Sequence, residues 1–244
     1  MPNRFSTYLK KKVLKKDQNL VSLDDPYEVA GALLRGHAVR GVLDAGASNG
    51  HASKRILKHF PSARAYAFEP NPMYRAGLIE YARRDSRFHP QFAALSDHEG
   101  TAELNITASA GNASLLNPSD RLRDIDPDGA GIREVVQVPL VTIDGWVERN
   151  GDVPIEFMKF DIQGYELTAL KGATRTLKKS TLIVYSEIWF NGAYEKGALF
   201  GELDFFLREQ GFSVYDIYKP RYNRAGGQVI WANAIFIHAD KVRS

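Results

Sequence analysis

From residue 41 onwards, short apolar runs alternate with segments of helical length, and this alternation restricts the fold more than any other feature of the chain. Strands that alternate with helices build βαβ units, in which the strands lie parallel. The sequence therefore predicts an α/β fold with a mostly parallel sheet. The predicted strands are 41–44, 65–68, 88–95, 155–160, 182–188, 213–218 and 232–237, and the main helices are 73–84, 166–178 and 201–210.

The middle of the chain interrupts this alternation. Residues 107–133 are rich in Gly, Asp, Asn, Ser and Pro, and we interpret them as a long loop inside one domain, because strands and helices resume beyond it. Long loops in compact domains are often functional lids. A strand at 135–142 and a short helix at 143–149 follow. The domain hypothesis is an N-terminal helical extension over 1–40 and one domain over 41–244, with an insertion at about 98–150.

Composition excludes several kinds of site and partner. The chain has 244 residues, no cysteine and a formal net charge of +3, so disulfides and thiolate chemistry are excluded and nucleic-acid binding is not predicted. No run approaches the roughly 20 apolar residues of a membrane helix, and no signal peptide is predicted. We expect a cytoplasmic protein. The basic segment Lys10–Lys16 fits either a solvated helix or a membrane-surface contact.

The first predicted strand ends in an acid that precedes a glycine-rich turn. Gly46 permits a tight turn after Asp44, and Gly50 permits close packing of the next helix. The dinucleotide fingerprint would require glycine at Ser48, whereas the observed spacing suits S-adenosylmethionine. Asp44 could pair with the ammonium of that cofactor, while the turn amides, around Ser48 and Asn49, meet its carboxylate. The alternative is a plain strand–turn–helix with a capping acid.

A second acid ends the next strand. Glu69, within FEPNP at 68–72, can accept hydrogen bonds from both ribose hydroxyls of an adenosyl group. The two prolines fix the backbone after it, and Asn71 between them is a further predicted cofactor-binding residue. Topology alone places Leu95 and Ser96 near the adenine. The alternative interpretation of Glu69 is a solvated acid in a proline turn.

Acidic residues also follow the fourth and fifth main strands. Asp161 lies at a strand tip, Glu166 begins the next helix and Glu187 ends the following strand, so their carboxylates are expected to converge and to act in catalysis. Three roles are open for Asp161: a general base or acceptor-positioning group, a ligand of a hard cation such as Mg²⁺, or a turn cap. The same three acids are the possible ligands of a divalent cation, which is not expected.

Together these segments resemble the FkbM-type methyltransferase family. The matching segments are VLDAGASNG at 42–50, FEPNP at 68–72 and MKFDIQGYELTALKGA at 158–173, together with Glu187 and the strand 234–237. The resemblance implies a Rossmann-like methyltransferase fold, with a mostly parallel seven-stranded sheet, helices on both faces and an antiparallel C-terminal strand. It implies an S-adenosylmethionine-dependent enzyme that methylates a hydroxyl of a sugar or secondary metabolite. By position, it assigns the methionine end of the cofactor to Asp44, Gly46 and Gly50, the ribose to Glu69, and the transfer site, which also binds cofactor, to Asp161, Gly164 and Glu166.

Other interpretations remain. An NAD-dependent oxidoreductase would need the missing glycine, and the pair Tyr215 and Lys219 lies on a predicted strand rather than a helix. A non-catalytic S-adenosylmethionine-binding protein would keep the pocket without the chemistry. A nucleic-acid methyltransferase would normally have Asn/Asp-Pro-Pro-aromatic where this chain has DIQG at 161–164. The expected partner is a small-molecule acceptor, and the sequence predicts no oligomeric state.

Overall fold

A seven-stranded sheet forms the centre of the molecule. The computed structural model describes residues 24–223 and 227–242. The strands are β1 (Gly41–Ala45), β2 (Arg64–Phe68), β3 (Phe88–Gln91), β4 (Ala94–Leu95), β5 (Gly100–Thr107), β6 (Ile132–Val141), β7 (Phe157–Phe160), β8 (Ile183–Trp189), β9 (Phe212–Tyr222) and β10 (Val229–His238). The central sheet has the strand order β3-β2-β1-β7-β8-β10-β9, and a smaller sheet has the order β4-β6-β5.

All strands of the central sheet except β10 run parallel. β1 pairs in parallel with β2 and β7, and the pairs β2–β3 and β7–β8 are also parallel. β10 is antiparallel to both β8 and β9. The predicted α/β class, the seven-stranded sheet and its antiparallel C-terminal strand are therefore confirmed. The central pair β1–β7 joins distant parts of the chain, and the Gly41 N–H donates to the Glu156 carboxylate at 2.8 Å.

Helices cover both faces of this sheet, as predicted. Side chains of a strand alternate between the faces, so Val42 packs with Ile56 and Leu78 on one side, and Leu43 packs with Trp146 and other residues on the opposite side. The helices are α1 (Pro26–Leu33), α2 (His51–His59), α3 (Arg75–Arg84), α4 (Asp120–Ile125), α5 (Ile143–Arg149), α6 (Glu166–Lys171), α7 (Thr174–Lys179) and α8 (Phe200–Glu209), with 3₁₀ turns at Pro72–Tyr74 and Ala110–Asn112.

The third predicted strand, 88–95, is two strands, and the prediction of one was wrong. β3 ends at Gln91 and stays in the central sheet. β4 leaves that sheet and pairs in parallel with β6, where Ala94 lies beside Leu140 and Leu95 beside Val141. The pairing partner of β4 comes from the insertion, so the local pattern of residues 88–95 gives no sign of the division.

The insertion is more ordered than the loop predicted over 107–133. It contains a 3₁₀ turn and α4, whose first turn is capped by the Ser119 hydroxyl, which accepts from the Leu122 N–H. The predicted strand at 135–142 is β6, which begins earlier, at Ile132, and pairs with β5 in an antiparallel ladder. The helix predicted at 143–149 is α5. The prediction of a long loop over 107–133 therefore missed α4 and the 3₁₀ turn. The sequence did contain a signal for α4, because Ser119 followed by Asp120 indicates a helix start.

The helix predicted over 166–178 is interrupted after Lys171, so one continuous helix was also wrong. A Cβ at Gly172 would lie 2.1 Å from the Ser96 carbonyl oxygen, which shows how closely these two segments pass. The carboxylate of Asp144 then accepts the main-chain N–H groups of Arg175 and Thr176, each at 2.8 Å, and caps α7. The break therefore depends on tertiary contacts.

The first described helix belongs to the core. Tyr27, Ala30 and Leu34 pack in the same cluster as β1 and α2, while the basic segment Lys10–Lys16 lies outside the described residues. The domain division at residue 40 stays a prediction. Within 24–223 and 227–242, none of the helices has the length and apolar character needed to cross a membrane.

Candidate active site

A cavity of about 230 Å³ lies at the carboxyl ends of β1, β2 and β7. This edge is where parallel α/β sheets usually bind ligands. Residues of the insertion between 110 and 115 also line it, so the segment predicted as a functional loop takes part in the cavity. The predicted site residues on its wall are Gly46, Ser48, Glu69, Asn71, Leu95 and Asp161.

The other predicted site residues do not line this cavity; they are Asp44, Asn49, Gly50, Ser96, Gly164, Glu166 and Glu187. The side-chain oxygen of Asn49 accepts from the His51 N–H at 3.1 Å, next to the start of α2. Gly50 has φ +77° and a Cβ there would lie 2.9 Å from the Tyr81 ring, so this glycine permits packing of α2 against α3. Ser96 is buried, and its hydroxyl lies 3.4 Å from the Tyr165 hydroxyl.

The glycine turn after β1 is held by its own main-chain hydrogen bonds. Gly46 has φ +73°, and a Cβ there would lie 2.0 Å from the Asp161 carbonyl oxygen, so only glycine fits. The N–H groups of Gly46 and Ala47 both donate to the Phe68 carbonyl at 3.0 Å, and that of Ser48 donates to Glu69. These three amides are therefore engaged within the protein. The predicted contact between amides of this turn and the carboxylate of a cofactor stays a prediction.

Asp44 is fully buried and forms an ion pair with Lys159. The Lys159 ammonium lies 3.0 Å from one Asp44 oxygen, and the Ser53 hydroxyl donates to the other at 2.6 Å. The ammonium also donates to the carbonyls of Ala45 at 3.2 Å and Gly46 at 2.9 Å. Burial alone would lower the pKa of Lys159, but the attraction of Asp44 and then of Asp161 outweighs it and raises that pKa.

Lys159 therefore ties β7 to the glycine turn, and sequence reasoning missed it. The signal was present, because a single lysine inside the buried strand Phe157–Phe160 requires an anionic partner. Direct pairing of Asp44 with a cofactor ammonium stays a prediction, although the carboxylate already has two partners in the protein.

The carboxylate of Glu69 is fixed on the cavity wall by two main-chain donors. One oxygen accepts from the Ser48 N–H at 2.7 Å and the other from the Asn71 N–H at 2.8 Å. Burial raises the pKa of Glu69, and these two hydrogen bonds oppose the rise. A carboxylate has about four acceptor positions, so each oxygen can still accept from a ligand hydroxyl.

Asn71 presents a buried donor next to Glu69. Its side-chain oxygen accepts from the Met73 N–H at 3.1 Å, which fixes the orientation of the amide. Its Nδ2 is buried and has no hydrogen-bond partner among the described residues. Buried polar groups are rarely left unsatisfied, so this donor is available to a bound molecule.

Asp161 is joined to a chain of polar side chains that the sequence did not reveal. Its carboxylate remains 43% exposed, and one oxygen accepts from the Gln163 amide at 2.8 Å. The side-chain oxygen of Gln163 accepts in turn from the Tyr194 hydroxyl at 2.8 Å. The main-chain carbonyl of Gln163 accepts from the Ser114 hydroxyl at 2.8 Å. The other carboxylate oxygen of Asp161 lies 3.8 Å from the Lys159 ammonium. The orientation of Asp161 therefore depends on three separate segments of the chain.

Glu166 and Glu187 are buried carboxyls close to Asp161. Burial, reinforced by Asp161 and opposed by main-chain donors, raises the pKa of Glu166 to about 7. One of its oxygens accepts from the Ile162 N–H at 2.9 Å, which holds the turn after β7. Burial, then Asp161 and then Glu166, raise the pKa of Glu187 well above its usual value. Asp161 therefore acts on the pKa of both buried carboxyls, and of these three acids only Asp161 lines the cavity. Their role in catalysis stays a prediction.

The described residues include no group of three or more histidine, aspartate or glutamate side chains arranged to hold a metal ion. Within this part of the chain, the possible metal ligands Asp161, Glu166 and Glu187 therefore do not form a ligand set.

Comparisons with known proteins agree with this architecture. A family model described as the methyltransferase FkbM domain matches residues 44–214. The chain is 27% identical over 164 residues to the 2-O-methyltransferase NoeI of Sinorhizobium fredii (strain NBRC 101917 / NGR234), in an alignment that covers 63% of this chain and 65% of that protein. It also resembles a solved structure, the methyltransferase FkbM of Methylobacillus flagellatus KT, with a TM-score of 0.51 and 17% identity, covering 82% of this chain and 44% of that one.

The chain spans less than two thirds of the length of each of these two proteins. The structural likeness confirms the Rossmann-like methyltransferase fold. The family match includes the glycine turn, Glu69 and all three acids that converge beside the cavity. The chain therefore belongs to the FkbM methyltransferase family.

Proposed function

We propose that this protein transfers the methyl group of S-adenosylmethionine to a hydroxyl oxygen of a sugar or another small secondary metabolite. The observation that carries the proposal is the carboxylate of Glu69, which two main-chain amides hold on the cavity wall with acceptor capacity to spare. Family membership supports methyl transfer. The likeness to a 2-O-methyltransferase supports an oxygen acceptor.

The residues of the cavity fit S-adenosylmethionine. Glu69 can accept from both ribose hydroxyls, and the unpartnered Nδ2 of Asn71 can donate to the adenosyl group beside it. Phe68 and Leu95 provide apolar surface for the adenine. Gly46 lets the turn pass close to the Asp161 main chain, which a side chain at this position would prevent. Asp44 contributes indirectly, by holding Lys159 against the turn.

The protein's part in the reaction is orientation and proton removal. The bound cofactor supplies an electrophilic methyl group. Asp161 is the acid on the cavity wall at the carboxyl end of β7, and Gln163 fixes one of its oxygens, so the carboxylate can accept the proton of the acceptor hydroxyl as the oxygen attacks. Glu166 orders the turn that carries Asp161, and Glu187 adds a second buried carboxyl behind it. This role needs no metal ion.

Calorimetry and a methyl-transfer assay test the proposal. We expect the protein to bind S-adenosylmethionine and S-adenosylhomocysteine but not NAD or NADP. It should also label at least one member of a panel of sugars and hydroxylated metabolites, with activity unchanged by EDTA. Glu80→Ala, at an exposed position on α3, is the control for binding-site variants. Binding of NAD without S-adenosylhomocysteine would overturn the cofactor assignment. Tight cofactor binding without transfer to any hydroxyl would favour the non-catalytic alternative.

A further inference from the structure

A second depression, of about 770 Å³, lies on the same edge of the central sheet as the cavity. β9 is parallel to β8, and β10 is antiparallel to both, so the end of β9 and the start of β10 lie at the carboxyl edge. The cavity occupies the β1–β2–β7 half of this edge, and the depression occupies the β8–β10–β9 half. We name it the distal groove, defined by Arg121, Asp124, Asn191, Arg221, Tyr222 and Trp231.

The register of the sheet gives the distance between the groove and Asp161. Asp161 follows the β7 residue that pairs with Ser186, so it is aligned with Glu187. Glu187 pairs in turn with Asn233, and Trp231 lies two residues farther towards the carboxyl edge. With strands about 4.8 Å apart and a rise of about 3.3 Å per residue, the Cα atoms of Asp161 and Trp231 are roughly 12 Å apart. The cavity and the groove share no described lining residue, so an acceptor that occupies both would have to extend over the surface between them.

The distal groove carries two guanidinium groups without a carboxylate partner among the described residues. Arg121 donates to the Asn191 side chain at 2.7 Å, and the Arg221 guanidinium lies 5.7 Å from the centre of the Trp231 ring. Asp124 is the single acid among the described lining residues. The lining therefore has a positive balance, and a guanidinium binds a carboxylate through two parallel hydrogen bonds.

Aromatic and amide groups lie beside these cations. Tyr222 is 53% exposed, and the partly exposed Trp231 has its ring 6.2 Å from that of Trp189. Indole and phenol rings offer flat apolar surfaces that suit the C–H faces of sugar rings. The Asn191 amide accepts from Arg121 and donates to the Val229 carbonyl at 2.8 Å, which leaves one N–H for a hydroxyl. A nucleic acid would need a longer track of cations than two arginines beside an aspartate.

We propose that the distal groove binds a carboxylated oligosaccharide, of the uronic acid class, as the remote part of the acceptor. Arg121 and Arg221 bind its carboxylates, and Tyr222 and Trp231 contact its sugar faces. The statement that this oligosaccharide is part of the methyl acceptor rests on the proposed function. Occupancy of the groove does not, because it can be measured without methyl transfer.

The test is calorimetry of the full chain with tetragalacturonate, in the presence of saturating S-adenosylhomocysteine. Cellotetraose serves as the neutral comparison and a thymidine tetranucleotide as the anionic one. We expect tetragalacturonate to bind more tightly than both, and Arg221→Ala to weaken it about tenfold, the loss of one charge-assisted hydrogen-bonding group. Arg35→Ala is the matched control, since Arg35 is exposed and lies outside the groove.

Trp231→Ala should abolish the binding of tetragalacturonate. Its control is Phe205→Ala, because Phe205 is 66% exposed on α8. Because Trp231 also packs against Trp189, the exposed Arg221 decides the question if the tryptophan variant loses its fold. The proposal is overturned if tetragalacturonate fails to bind, or if cellotetraose or the tetranucleotide binds as tightly as it does. It is also overturned if Arg221→Ala binds tetragalacturonate as tightly as Arg35→Ala. Failure of the wild-type protein to bind S-adenosylhomocysteine would instead count against the proposed function.

Discussion

Glu166 allows a direct measurement of the electrostatics beneath the site. Its carboxyl is only 2% exposed, and burial, with a contribution from Asp161, raises its pKa from 4.5 to about 7. A carboxyl whose pKa is higher in the folded chain binds its proton more tightly there. Its contribution to stability is therefore complete below pH 4.5 and is lost as the pH rises to about 7.

Glu166→Gln removes this titration but keeps an oxygen that can accept from the Ile162 N–H. The rise of the pKa from 4.5 to about 7 corresponds to about 3 kcal/mol. As the pH rises from 4.5 to about 7, the wild type should lose this free energy of unfolding and the variant should not. We therefore expect the variant to gain about 3 kcal/mol relative to the wild type over this rise in pH.

Urea unfolding followed by tryptophan fluorescence, at several pH values across this range, gives the difference between the two proteins. Taking the difference cancels the titration of groups that do not interact with Glu166. The buried carboxyl of Glu187 does not cancel, because Glu166 contributes to its raised pKa. Glu28→Gln, at an exposed position on α1, is the control and should show no such trend. A difference between wild type and Glu166→Gln that stays constant with pH would refute the reasoning.

Three further replacements test other parts of the site. Glu69→Ala should weaken S-adenosylhomocysteine binding by about 1–3 kcal/mol in calorimetry, and it should also lower Tm, because the main-chain N–H groups of Ser48 and Asn71 lose their acceptor; an unchanged Kd would make Glu69 a mere turn residue. Asp161→Asn should lower the labelled-methyl transfer rate about 10²–10⁴-fold with cofactor affinity nearly unaltered, and near-normal turnover would exclude a general base. Lys159→Met should cost about 3–5 kcal/mol in urea unfolding, because it leaves Asp44 buried without its cation. Adding Asp44→Asn should recover much of this loss, and simple additivity would contradict the ion pair.

The parallel sheet could be predicted because its signals are local. Each buried strand is a short apolar run, and each is followed by turn residues and a helix, so spacing alone indicates the βαβ order. Glu69 was predictable for a similar reason, since an acid between a buried strand and a proline turn has few places to lie. Its acceptance of two main-chain amides, by contrast, depends on the path of the glycine turn.

The parts that were missed depend on contacts between distant segments. β4 separates from β3 because β6 offers it a partner, and the break at Gly172 reflects the close approach of the Ser96 carbonyl. Gln163 and Tyr194 have no motif of their own and gain meaning only where the loop after β8 meets the turn after β7. Two missed features gave a usable signal: Lys159, as a charge inside a buried strand, and Ser119, as the cap of α4.

The β1–β7 pair has a consequence for how the protein folds. The hydrogen bond between Gly41 and Glu156 joins residues 115 positions apart, so the middle of the sheet cannot form until that length of chain has been synthesised and has closed on itself. Closing a long loop costs entropy before any contact compensates for it, which slows folding. During synthesis, the finished β1–β2–β3 layer must wait with one strand edge open. That exposed edge of β1 is the place where a chaperone, or an aggregating neighbour, would first engage the nascent chain.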